Sequence, residues 1–137
     1  PEALEFTGIV LDENRQAHNE KDALQEGFQQ VRKAVKAQGC NRAVLVGHNA
    51  WFDLHFMRAA VERQGIKRDP FHPFTSFDTA TLAAIYLGHT VLAQACKRSN
   101  IEFCNSEAHS ALYDAEKTAE LFCHIVNNSG FTWDSQN

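Results

Sequence analysis

Two short segments hold the residues best suited to chemistry. Asn49-Ala50-Trp51-Phe52-Asp53 follows an apolar run, and His109-Ser110-Ala111-Leu112-Tyr113-Asp114 opens a helical pattern. Each sets a carboxylate where burial would be costly. An ionised carboxylate taken out of water is strongly penalised unless it is paired or holds a cation. Two such acids therefore point to a metal-dependent hydrolase. His109 adds the residue type that draws a proton from water, because imidazole titrates near neutrality.

Helical periodicity says how these groups must be carried. Phe56, Met57 and Ala60 form an apolar stripe, and Asp53 lies three and four positions before the first two, on the same side. In the last helical pattern the stripe reads Ala111, Ala115, Ala119, Phe122, Ile125 and Val126, with Asp114 at its edge, one turn before Thr118. Five residues is not a same-face spacing, so His109 and Asp114 share a site only if His109 lies at or before the first turn. The turn-like Asn105-Ser106-Glu107 places the helix start near His109. Either aspartate alone would also serve as a helix N-terminal cap. Capping does not require both of them together with a histidine. The other six histidines read as surface or satisfied core residues, His48 being set apart only by its place beside the first motif.

The elements around these segments read as α/β. Residues 21–38 form an amphipathic helix with Leu24, Phe28, Val31 and Val35 on one face, closed by Gly39. Ala43-Val44-Leu45-Val46 is a short apolar run expected as a buried strand, and residues 52–64 follow as a helix ended by Gly65. Asp53 then sits just past the carboxyl end of a strand, where open α/β sheets bind ligands. Pro70 and Pro73 predict a loop, Asp78 an N-cap for a helix over residues 79–87, and further helices are expected over 91–98 and 109–127, with a short extended piece at 101–103. The domain is expected to occupy residues 1–127, with 128–137 as a flexible tail.

Composition bounds the function. The chain has 137 residues, 44% hydrophobic and 22% charged, enough for one globular core. Its four cysteines show no Cys-x-x-Cys spacing, so neither a zinc site nor disulfides are implied. With no secretory segment and no apolar stretch of about 18 residues, a cytoplasmic protein without membrane contact is expected. The net charge of −4 excludes nucleic-acid binding by bulk electrostatics, leaving local clusters: Arg32, Lys33, Lys36 and Arg42, and Arg63, Lys67 and Arg68. Of ten phenylalanines, Phe28, Phe56 and Phe122 have core spacing, whereas Phe6, Phe52 and Phe74 do not. Rings left over from packing suit stacking on unpaired bases, worth about 1–3 kcal/mol per base.

The Asn-x-x-Phe-Asp and His-x-Ala-x-x-Asp segments resemble the second and third motifs of the DEDDh family of 3'-to-5' exonucleases. The text over residues 66–74, Phe77-Asp78-Thr79-Ala80 and residues 3–9 resembles the RNA-trimming branch of that family. The resemblance implies a ribonuclease H-like fold and phosphodiester hydrolysis with two Mg²⁺ ions per complete site. It implies Asp53 and Asp114 as metal ligands and His109 as the general base. Phe6, Phe52, Phe74, Asn49, Lys36, Arg42 and Lys67 would bind substrate, namely the 3' ends of tRNA and other structured RNA, with single-stranded DNA as a further substrate, in a homodimer. A proofreading DNA exonuclease or oligoribonuclease of the same family, and a non-catalytic RNA-binding or dimerisation module, are the alternatives. The family's first motif, an Asp-x-Glu on the first strand, is not formed by Glu2, Glu5, Asp12 or Glu13. The sequence therefore reads as the C-terminal portion of an enzyme, incomplete in its N-terminal strands and expected to be inactive by itself.

Overall fold

The computed structural model describes residues 19–132. Phe6 and the last five residues of the expected tail lie outside them. The elements are α1 (Glu20–Ala37), β1 (Ala43–Gly47), α2 (Ala50–Arg63), β2 (Phe71–Asp78), α3 (Thr79–Leu87), α4 (Leu92–Arg98) and α5 (Ala111–Asn128). β1 and β2 pair in one sheet. Because a helix joins them and the Ala43 amide bonds the Pro70 carbonyl (3.0 Å) at the start of both, the strands run parallel.

The chain divides into two compact units, one from residues up to Leu45 with Leu54–Thr75, the other from Val46–Asp53 with Ser76 onward. In the first, Asn19 caps α1 by accepting from the Lys21 amide (3.0 Å), and Glu20 and Asp22 complement the helix dipole. The expected apolar face forms: Phe28 is buried, with Leu24, Val31 and Val35 half-buried. Phe28 meets Phe71 edge to face, ring centres 6.0 Å apart. Gly39 then takes φ +65, the left-handed conformation glycine adopts without a Cβ penalty.

The second unit packs α3, α4 and α5 around Ala83, Ala95, Leu121 and Ile125, with Leu82, Leu87, Leu92 and Ile101 against them. Alanines on α3 and α4 leave room for the larger Leu121 and Ile125 from α5. Phe77 stacks on Phe122 at 5.8 Å. Asp78 caps α3 as the sequence predicts, accepting from the Ala80 amide at 3.2 Å.

Several expectations are corrected. Pro70 ends an irregular segment over residues 66–70, but the loop expected to run on through Pro73 does not form; residues 71–78 are β2. A proline is tolerated in a strand where its missing donor faces away from the ladder, and Pro73 is exposed. β1 is half-buried along most of its length instead of fully buried. Phe56, expected in the core, is 60% exposed. On α5 the buried face is Thr118, Leu121 and Ile125, while Ala111, Ala115 and Ala119 are exposed. Alanine carries too little apolar surface to decide which side of a helix turns inward; leucine and isoleucine outweigh it.

Candidate active site

The first motif is built on a sharp exit from β1. After Gly47 the chain turns through His48 and Asn49, the latter at φ +61, and α2 begins at Ala50. Asparagine is among the few residue types that enter the left-handed region readily, which gives Asn49 a structural reason to be here besides substrate contact. Asp53 falls in the first turn of α2, where the helix dipole favours an acid. Its Oδ2 packs over Gly47, 3.0 Å from where a Cβ on that residue would stand. The residue as a whole is open to solvent, yet burial of the carboxyl pushes its pKa above the ordinary value, against a smaller lowering from its own amide. Beside it Trp51 and Phe52 are 69% and 51% exposed, their rings edge to face at 5.8 Å.

Gly47 is accordingly a tight position, where an added methyl group obliges its neighbours to shift. A Cβ there meets Asp53 Oδ2 at 3.0 Å and the Ala50 backbone at 3.1 Å. Gly47→Ala is expected to destabilise the protein by about 1–3 kcal/mol in chemical denaturation, the usual cost of overpacking. A variant as stable as the parent would mean that the Asp53 carboxyl does not rest there.

The turn is held from the end of β2. Asp78 Oδ1 accepts from the amides of Asn49 (2.7 Å) and Ala50 (3.4 Å) as well as Ala80, and Oδ2 accepts from the Thr81 hydroxyl (2.6 Å). Burial acts to raise the Asp78 pKa, but these four donors outweigh it and hold the carboxyl below its ordinary value. Thr79, fully buried, donates its hydroxyl to the Gly47 carbonyl (3.3 Å). His48 bridges the Thr79 hydroxyl (Nδ1, 2.9 Å) and the Thr90 carbonyl (Nε2, 2.6 Å). It is a satisfied structural histidine.

The second motif straddles a helix start. His109 lies before the helix at φ +75, Ser110 is the N-cap residue, and α5 begins at Ala111. This is the placement that the five-residue spacing to Asp114 requires. Asp114 is in the first turn and half-buried, one turn ahead of Thr118 on the face that continues through Leu121 and Ile125. Asp53, His109, Asp114, Phe52 and Asn49 all belong to the second unit. Among the described residues, no group of three or more His, Cys, Asp or Glu side chains is arranged to hold a metal ion.

The remaining candidates lie in the first unit. Phe74 is 78% exposed on β2, its ring 4.5 Å from and perpendicular to that of His72, whose Nδ1 accepts from the Thr75 amide (3.0 Å). Lys36 and Arg42 line one cleft of about 550 Å³ together with Arg32, Arg68 and a single acid, Asp69. Asp69 is occupied by the Phe71 amide (2.9 Å). Lys67 lines an adjoining groove that also includes Arg32 and Arg68. Arg32 donates to the Arg68 carbonyl at 2.9 Å, so the two clusters that sequence separates by some thirty residues become one basic surface. Arg63 leaves that surface: its guanidinium pairs with Glu20 (Nε to Oε2, 3.0 Å), joined by Gln64.

Among the described residues no helix is long and apolar enough to cross a membrane. The family model described as Exonuclease matches residues 1–122. Two curated relatives are proteins named ribonuclease T. One, from Hahella chejuensis, is 60% identical over 139 aligned residues, covering 98% of this chain and 64% of the relative. The other, from Shewanella denitrificans, is 60% identical over 128 residues, covering 93% of this chain and 57% of the relative. The chain thus spans about three fifths of the length of these relatives.

Proposed function

The chain belongs to the Exonuclease family, and on that premise we propose that it forms part of a 3'-to-5' exoribonuclease of the ribonuclease T type, trimming the 3' ends of tRNA and other structured RNA. The observation that carries this reading is the placement of both motifs: each sets its aspartate in the first turn of a helix, and the histidine just ahead of the second helix.

In this reading Asp53 and Asp114 hold Mg²⁺ together with carboxylates from outside the described residues. The donors fit the ion. Both are hard oxygens, and the missing Cβ at Gly47 leaves the space that Asp53 Oδ2 occupies. Two Mg²⁺ ions supply charge stabilisation for the attacking and leaving oxygens. His109 removes a proton from the attacking water, and the exposed rings of Phe52 and Phe74, with Phe6, stack on the terminal bases while Asn49 contacts the substrate beside them. Residues 1–127 are taken as one portion of a single exonuclease domain that works as a homodimer. The four unpaired cysteines fit the reducing cytoplasm.

Lys36 and Arg42 hold RNA phosphates in the basic cleft, and Lys67 in the groove beside it. Because each phosphate contact releases counterion, Arg42→Ala is expected to weaken binding of a single-stranded RNA and to flatten the slope of log affinity against log salt by about 0.7, with little change in single-turnover cleavage at saturation. An unchanged salt slope would take Arg42 off the RNA path.

The whole reading is tested by incubating the complete gene product with an RNA hairpin bearing a short 3' overhang. Mg²⁺-dependent release of mononucleotides is expected. Binding without release under those conditions would replace the enzyme by an RNA-binding module.

A further inference from the structure

The four residues that carry the chain from β1 into α2 are tied down by side chains from the end of β2, some 30 positions later. Gly47 is held through its carbonyl by Thr79, His48 through its ring by the same hydroxyl, and Asn49 and Ala50 through their amides by Asp78. Those two amides are among the donors that a helix start leaves without an intrahelical partner. Asp78 therefore caps two helices at once, its own α3 and the α2 that bears Asp53. Its Oδ1 takes three of these donors and its Oδ2 the Thr81 hydroxyl, so the carboxylate is engaged by its own chain at both oxygens.

The consequence concerns Asp53. Its Oδ2 lies against Gly47, and the left-handed Asn49 must hold its φ for the first turn of α2 to point there. The 2.7 Å bond from the Asn49 amide to Asp78 braces that conformation. We propose that Asp78 is a positioning residue for the reaction, fixing the turn that aims the Asp53 carboxyl, with Thr79 and His48 bracing the same turn. This rests on the reading of Asp53 as a Mg²⁺ ligand.

The variant that separates the two caps is Asp78→Ser. Serine keeps an oxygen one bond from Cβ, enough to cap Ala80 in α3, but it is too short to reach Asn49. In the complete gene product, Mg²⁺ affinity by titration calorimetry is expected to fall about 10-fold, the usual scale for losing an outer support of a metal ligand. Hydrogen exchange at the Asn49 and Ala50 amides rises, the Mg²⁺ concentration for half-maximal cleavage rises in step, and KM for RNA stays within about twofold. Asp78→Asn, which keeps the Oδ1 acceptor, restores both readings. Asn19→Ala removes a cap of the same kind from α1 and lowers thermal stability without moving Mg²⁺ affinity. If Asp78→Ser is folded and binds Mg²⁺ like the parent, or if Asn19→Ala weakens Mg²⁺ equally, the positioning role is wrong. Asp53→Asn is the separate control: should it bind Mg²⁺ unchanged, the metal reading itself fails, whatever Asp78 does.

Discussion

Asp53→Asn is expected to lower Mg²⁺-dependent RNA hydrolysis by the complete gene product by about 10³-fold, the scale seen when one preorganised charge-stabilising group is removed from a site. Stability is expected to move the other way. The folded protein raises the Asp53 pKa through burial, so it binds that proton more tightly than the unfolded chain does. Above the folded pKa the fold carries the full cost of a desolvated carboxylate; as pH falls through that pKa the cost is relieved, and below the ordinary carboxylate value it is gone. The neutral amide never bears it. Thermal melts should therefore show the Asn variant equal to or above the parent at neutral pH, with any gap closing on acidification. Undiminished turnover would remove Asp53 from the chemistry, and a gap that widens in acid would contradict the burial account.

The second large effect lies at His109, whose φ of +75 is a conformation that costs most residues about 1 kcal/mol or more. His109→Gly and His109→Ala both delete the imidazole, and each is expected to reduce the cleavage rate about 10²–10⁴-fold, the range for a general base. They differ only in backbone. The glycine variant is expected to be more stable than the alanine variant by about 1 kcal/mol in urea denaturation, since glycine enters the left-handed region freely. Equal stabilities would show that the turn before α5 does not hold this conformation in solution. Retained activity in either variant would assign the proton transfer elsewhere.

These effects share a cause. Asp53 and His109 each sit where local preference is violated, one by desolvation and one by backbone conformation, and Asn49 holds the left-handed turn that leads to Asp53. Positions of this kind gather at functional sites, because the surrounding structure over-determines them. Here the over-determination is visible in the contacts from Asp78, Thr79 and His48.

How much of this was legible in the sequence varies with the range of the forces involved. The helix over residues 79–87 was readable to the residue because its signals are local: Asp78 at the N-cap and Gly88, at φ +72, beyond the last turn. For α1 the reading of residues 21–38 falls one residue late at each end against Glu20–Ala37, its apolar face and Gly39 having marked it and the Asn19 cap having gone unread. The two acidic motifs were readable for a similar reason, since a few side chains in fixed order carry them, and their placement at helix starts follows from spacing alone. By contrast, β2 was hidden behind Pro70 and Pro73. Whether a proline breaks a strand depends on which way its missing donor faces, and that is set by the pairing partner.

What the amino-acid order determined by itself, then, is the set of helices, their caps and the identity of the chemical groups, because these depend on neighbours within a turn or two. Only the tertiary structure decided that the face of α5 turned inward is that of Thr118, Leu121 and Ile125, that Phe56 is exposed, and that Arg32 joins Arg68 in one basic cleft. It alone brought Asp78 to the amides of Asn49 and Ala50. Each of these is a contact between residues far apart in the chain, chosen by burial and hydrogen-bond satisfaction over the whole fold, and no local spacing encodes it.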